Sequence, residues 1–190
     1  VPHSELIAVM RRDAEKAKDY AQRHNVPKFY SDGYELINDP GINAIYIATP
    51  PGSHEMYALA AINAGKPVYV EKPMALDFAA ANNIVKLAKE KQVQLTVAHY
   101  RNAQPFFRKI KALLDESAIG TIKNAALLFN RTALTEADLA QPQKAWRVDP
   151  AVSGGGLFHD MAPHQLGLML YFFGAVKNIS GSAANTNPVY

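Results

Sequence analysis

Three polar residues far apart in the chain, Lys72, Asp160 and His164, have types and settings that suit one another. Lys72 sits in Glu71-Lys72-Pro73, directly after Pro67-Val68-Tyr69-Val70, an apolar run rich in β-branched and aromatic residues that reads as a buried parallel strand. The lysine is therefore expected at a strand's carboxyl end, the edge where open α/β sheets bind ligands, with a proline restricting the backbone after it. The plain alternative is a surface lysine in a turn. Asp160 and His164 follow Gly154-Gly155-Gly156 and are four residues apart, so in a helix they share one face near its amino end. An aspartate that bonds one imidazole nitrogen fixes the tautomer and leaves the other nitrogen for proton transfer. The competing reading is a helix-start aspartate favoured by the helix dipole, next to a core histidine. His159 points roughly 100° away around such a helix and reads as a bystander.

A lysine, an aspartate and a histidine suit hydride transfer to or from a secondary alcohol. A base must take the hydroxyl proton while a cation steadies the developing alkoxide. Histidine can do the first and lysine the second, and a lysine beside a nicotinamide cation has its proton affinity lowered, so the roles can be shared.

The elements that must hold these residues follow from hydrophobic patterning. Leu6–Met10 is a short apolar strand, and Asp13 suits the N-cap of a helix over Ala14–His24. Val26–Tyr30 is extended, Gly33–Asn38 a short helix, and Asn43–Ala48 a third strand closed by Thr49-Pro50-Pro51-Gly52. Ser53–Ala64 is helical, with Met56, Leu59, Ala60 and Asn63 spaced by three and four and Gly65 as a stop. After the strand that delivers Lys72, Asp77 caps a helix to Lys91, with Ile84, Leu87 and Ala88 inward, and Gln94–Ala98 forms another strand. Such alternation is the signature of a parallel sheet wound with helices.

Beyond a helix over Gln104–Asp115 the character changes. Thr121–Thr132 is expected as a long strand of a sheet with one solvated face, Glu136–Trp146 as loop with a turn of helix, and Val176–Ala183 as a further strand. The triple glycine opens a helix that runs to Phe173. A domain boundary is placed near Ala118–Thr121, dividing residues 1–119 from residues 120–190. The expected fold class is α/β: a partial Rossmann-type parallel sheet, then the start of an α/β domain with an open sheet. An open nucleotide-binding sheet normally begins with a strand, a glycine-rich turn and a helix, and no G-x-G-x-x-G occurs. The chain stops after what would be the second strand of a new sheet, so we expect an internal fragment of a protein of on the order of 300 residues or more.

Composition narrows the function classes. The 190 residues are 48% hydrophobic and 19% charged, as in ordinary globular proteins. Twenty basic and 17 acidic side chains leave +3, scattered without a basic block, which does not suggest nucleic acid. The absence of cysteine excludes disulfides and thiolate metal sites within this sequence and suggests the cytoplasm, and no metal site is expected. Phe158–Phe173, the most apolar stretch, is interrupted by Asp160, His164 and Gln165 and is shorter than the roughly 20 residues of a membrane helix. An N-terminal targeting signal cannot be judged from a sequence that opens on Val1.

As a set, several motifs resemble the glucose–fructose oxidoreductase, inositol dehydrogenase and MocA (Gfo/Idh/MocA) family of nicotinamide-dependent oxidoreductases. They are Ala48-Thr49-Pro50-Pro51 with His54, then Glu71-Lys72-Pro73, Trp146-Arg147, and Gly154-Gly155-Gly156 with Asp160 and His164, in the family's order and across essentially the whole chain. The resemblance implies a Rossmann domain followed by an α/β domain whose open sheet mediates homo-oligomers, with the active site between them. It also implies Lys72, Asp160 and His164 as the catalytic trio and a cis bond at Lys72-Pro73. By position, Thr49, Pro50, Pro51 and His54 would lie along the dinucleotide, with Glu71 and Lys72 near the nicotinamide and its ribose. Arg11 and Arg12 stand where an acidic residue would bind the adenosine ribose of NAD; an arginine there suits the 2′-phosphate of NADP, so NADP is favoured over NAD. Two solvated arginines opening a helix are the rival explanation. The family's glycine-rich turn does not occur in this sequence, and with it goes the main pyrophosphate contact. Ala162 and Gly167 stand where relatives often have glycine and aspartate, the second change bearing on packing or substrate contacts.

Tyr100, Arg101 and Asn102 follow the last Rossmann strand, and with Trp146 and Arg147 they offer the hydrogen bonds and aromatic face that sugars use. The expected activity is an NAD(P)-dependent dehydrogenase acting on a hydroxyl of a sugar, cyclitol or related polyol. Two alternatives are an NAD-dependent glycosidase of the same fold, which would cleave glycosides without net cofactor reduction, and a non-catalytic dinucleotide sensor, which need not keep the trio.

Overall fold

The computed structural model describes residues 4–184, and the chain divides into two compact units. The first runs to Thr49 and resumes over Ser53–Val97; the second comprises Pro50–Gly52 and the described residues from Ala98 onward.

In the first unit, β1 (Ala8–Met10), α1 (Ala14–His24), β2 (Lys28–Tyr30), α2 (Gly33–Asn38), β3 (Ile45–Ile47), α3 (His54–Asn63), β4 (Val68–Val70), α4 (Phe78–Lys91) and β5 (Leu95–Val97) alternate along the chain. Every ladder is parallel: β1 pairs β2, and β3, β4 and β5 form a three-stranded sheet in that order. Side chains of a strand alternate between faces. Ile45, Ile47, Val68 and Val70 are accordingly buried, while Tyr46 and Tyr69, paired in register, stand on the other face with ring centroids 5.4 Å apart. Ile62 of α3 and Ile84 of α4 are fully buried against the inner face with Ala58, Ala61 and Ala88. Burying such an isoleucine contributes about 1.5–3 kcal/mol.

Local chemistry sets the helix ends. Asp13 accepts from Lys16 N at 3.1 Å and Asp77 from Ala80 N at 2.8 Å, each supplying an acceptor to a helix-start amide. Asn25 and Gln92, with φ of 53° and 56°, close α1 and α4 in the left-handed conformation. In α3 the buried positions are His54, Ala58, Ala61 and Ile62, whereas Met56 is exposed. The helix is apolar almost all round, so packing against the sheet and α4, and not periodicity, selects its inner face.

Asp39, which closes α2, ties this unit together at its edge. Its carboxylate accepts from Lys28 Nζ at 2.6 Å, Tyr30 OH at 2.7 Å and Gly41 N at 2.8 Å, and those bonds, Lys28 first, hold its carboxyl well below the usual carboxylate range. A depressed folded-state pKa stabilises the fold above the unfolded value of 3.8, and that contribution is lost as pH falls through the folded one. Asp39→Asn is therefore expected to lower Tm at neutral pH, with the gap to wild type narrowing as pH drops below the unfolded value. A Tm difference that stays constant across a pH series of melting curves would contradict this.

The second unit contains α5 (Pro105–Asp115), α6 (Glu136–Leu139), α7 (Pro142–Ala145), α8 (Pro150–Ser153) and α9 (Gly156–Phe173), with 3-10 turns at Tyr100–Ala103 and Trp146–Val148. The change of unit falls between Val97 and Ala98, earlier than the expected Ala118–Thr121, because α5 packs on α9, Phe107 lying 6.3 Å from Phe172 between ring centroids. The strands expected over Thr121–Thr132 and Val176–Ala183 are corrected: neither segment carries strand pairing among the described residues. A strand exists by its ladder with a neighbour, and here Leu128 and Ile179 stand 86% and 89% exposed in unpaired chain. Hence the start of an open sheet is not formed in the described second unit. No described helix is long and apolar enough to cross a membrane.

Candidate active site

In the first unit, the parallel register brings the carboxyl ends of the strands to one edge of each ladder, followed by Arg11 and Arg12 after β1 and Glu71 and Lys72 after β4. Both arginines are exposed. Glu71 is held twice, its Oε1 accepting from Tyr46 OH at 2.7 Å and its Oε2 from Lys72 N at 3.2 Å. Partial burial, then the bond to Glu71, push the Tyr46 phenol above its ordinary range, so it stays a donor to that carboxylate. Lys72 is half-buried and its bond to Pro73 is cis, as expected.

His54 is completely buried at the start of α3. Its Nε2 lies 2.6 Å from Thr49 O and its Nδ1 2.8 Å from Pro73 O, each a hydrogen bond when that nitrogen carries a proton. The ring thus spans the turn after β3 and the turn that carries Lys72. A buried side chain facing two carbonyls in this way positions the backbone of both turns. Thr49 is half-buried and its hydroxyl accepts from Ser53 Oγ at 2.8 Å. Pro50 and Pro51 belong with the second compact unit, as does Gly52, where a Cβ would lie 2.5 Å from Ala151 O.

In the second unit, α9 presents the other candidates. Gly154 is required locally: it has φ +89° and a Cβ there would meet His159 Nε2 at 2.7 Å. His159 folds back over this turn. His164 is buried, with the Tyr100 ring edge-on at 5.3 Å. Asp160 Oδ2 lies 3.8 Å from Arg147 Nε, and the Arg147 guanidinium stacks over Trp146 at 4.6 Å. Gly167 faces His99, and a Cβ there would come within 3.2 Å of its Nδ1, so the missing side chain serves packing. Arg101 and Asn102 are half-buried in the 3-10 turn.

Two groupings brought together by the fold were not anticipated. One is Tyr46 with Glu71, which the period-2 pairing of Tyr46 and Tyr69 could have signalled. The other is a pocket lined by Arg131, Thr132, Leu134, Arg147, Leu157 and Asp160, for which the sequence carried no signal.

Comparison with known proteins adds decisive findings. Residues 1–99 match the oxidoreductase family with an NAD-binding Rossmann fold, and residues 107–189 match the GFO/IDH/MocA C-terminal domain. The chain belongs to the Gfo/Idh/MocA oxidoreductase family. An oxidoreductase of Formosa agariphila is 47% identical over 187 residues, covering 98% of this chain and 58% of the relative. A 3-ketoreductase from Actinomadura kijaniata, solved with NADP and TDP-benzene, superposes with a TM-score of 0.79 at 25% identity, covering 92% of this chain and 51% of that one. Levoglucosan dehydrogenase, solved with NADH and levoglucosan, superposes with a TM-score of 0.71 at 27% identity, covering 88% and 44%. The chain spans about half the length of the curated relatives it matches. As a Gfo/Idh/MocA member it has an NAD-binding Rossmann domain, and Arg11, Arg12 and Lys72 stand at the strand ends of that domain, the arginines exposed and the lysine half-buried.

Proposed function

We propose that the complete protein is an NAD(P)-dependent dehydrogenase that oxidises, or in reverse forms, a hydroxyl group on a sugar, cyclitol or related polyol. The observation that carries this reading is the tethered turn after β4, where His54 and the bonds at Glu71 hold the backbone of Lys72 in place. Family membership supports it, as do relatives described as acting on levoglucosan and as a 3-ketoreductase. The dinucleotide supplies the hydride-exchanging ring. Lys72 steadies the alkoxide with its ammonium, His164 takes the hydroxyl proton, and Asp160 sets the electrostatics beside it. Thr49, Pro50, Pro51, Glu71 and Lys72 serve the cofactor, and Tyr100, Arg101, Asn102, Trp146 and Arg147 the substrate. We assign the protein to the cytoplasm and to a homo-oligomer joined through the C-terminal domain.

The test is fluorescence titration of the complete protein with NADH and NADPH, then a polyol screen with the preferred cofactor. Saturable binding and net cofactor reduction by a polyol are expected; glycoside cleavage without net reduction would point to a glycosidase instead. Arg11 and Arg12, exposed after β1, are assigned to the 2′-phosphate of NADP. Arg11→Ser combined with Arg12→Ser should weaken NADPH by roughly 10-fold or more, the scale of one or two charge-assisted hydrogen bonds, and leave NADH much less affected. An unchanged NADPH-to-NADH ratio would remove that assignment.

A further inference from the structure

We infer that the polyol substrate bears a carboxylate, received by Arg131 and Arg147 in the pocket beside Asp160. This rests on the dehydrogenase reading of Asp160 and His164 above and names the class of substrate. The pocket, about 40 Å³ and open on one side, has room for a carboxylate. A sugar that places its carboxylate here can leave its ring toward the open side.

The lining chooses among substituents by charge. Arg131 and Arg147 each contribute +1 and Asp160 contributes −1, leaving +1. Arg147 is held in place: it stacks over Trp146, its Nη1 donates to Gln143 O at 2.8 Å, and its Nε faces Asp160. A guanidinium has five N–H donors in a fixed fork, so Nη2 remains for a ligand. Arg131 is exposed and has no ion-pair partner among the described residues. A hydroxyl in this pocket would leave that surplus charge unmatched, whereas a carboxylate neutralises it through charge-assisted bonds that guanidinium geometry suits. Thr132 adds a hydroxyl donor, and Leu134 and Leu157 give an apolar wall for ring C–H groups.

Matched sugar pairs test this: D-glucuronate against D-glucose and D-galacturonate against D-galactose, on the complete protein with its preferred cofactor. Isothermal titration calorimetry measures binding separately from turnover. The acids should bind roughly 10-fold tighter or more than their neutral partners. The advantage should shrink between about 50 mM and about 500 mM NaCl, as screening of a partly exposed charge requires. Arg131→Gln should erase most of the preference. Equal affinities within each pair, or an acid preference that survives Arg131→Gln, overturn the inference. Tight acid binding with no hydride transfer from any sugar would overturn the dehydrogenase reading while leaving the carboxylate site standing. Hydride transfer from neutral sugars alone would do the reverse.

Discussion

Lys72→Met is expected to lower kcat of the complete enzyme by roughly 10²–10⁴-fold, the span over which positioned acid–base groups act. Methionine keeps much of the side chain's length and apolar stem while removing the ammonium, so the change isolates charge. Cofactor affinity by fluorescence titration should move little by comparison, because Thr49, Glu71 and the backbone of the turn remain. His164→Asn should reduce kcat on the same scale, with loss of the limb of the pH–rate profile that reports the base. Groups that act on one step as a unit are far from additive. The double variant should consequently be little worse than either single one. Full additivity, or turnover within a few-fold of wild type in Lys72→Met, would remove the lysine from the chemistry.

His54→Leu is expected to cost about 1–3 kcal/mol of stability, since the neutral ring carries one N–H and its loss leaves Thr49 O or Pro73 O without that donor. For a chain of this size that is a fall in Tm of roughly 5 °C. Leucine fills much of the imidazole's volume, so the loss reads the hydrogen bonds more than a cavity. Activity should fall as well, because the turn bearing Lys72 loses its tether to the turn after β3. His54→Gln, which keeps a donor, should recover part of both. A Tm unchanged in His54→Leu would show that the ring merely occupies space.

Much of the first unit was legible from local patterns. Asp13 and Asp77 announced two helix starts, and β-branched runs at Asn43–Ala48 and Pro67–Val70 announced buried strands. Lys72 could be placed at a strand end because only the end of an apolar run and a proline were needed to put it there. The second unit was read less well. Thr121–Thr132 has strand-like residues, but a strand is completed by a partner that residue preferences cannot supply, and the segment has none among the described residues. Helix α5 was found correctly, and its grouping with the second compact unit depends on Phe107 meeting Phe172 and not on any property of Gln104–Asp115.

The sequence by itself determined the alternation of strands and helices, their caps and stops, and which candidate residues stand at strand ends or on the first turns of α9. These follow from interactions between chain neighbours. Only the tertiary structure decided that His54 braces two turns, that Tyr46 holds Glu71, and that Arg131 shares a pocket with Asp160. The meetings of His54 with Pro73, Tyr46 with Glu71 and Arg131 with Asp160 join residues distant along the chain, and packing selects them from the many pairings that the same local preferences allow.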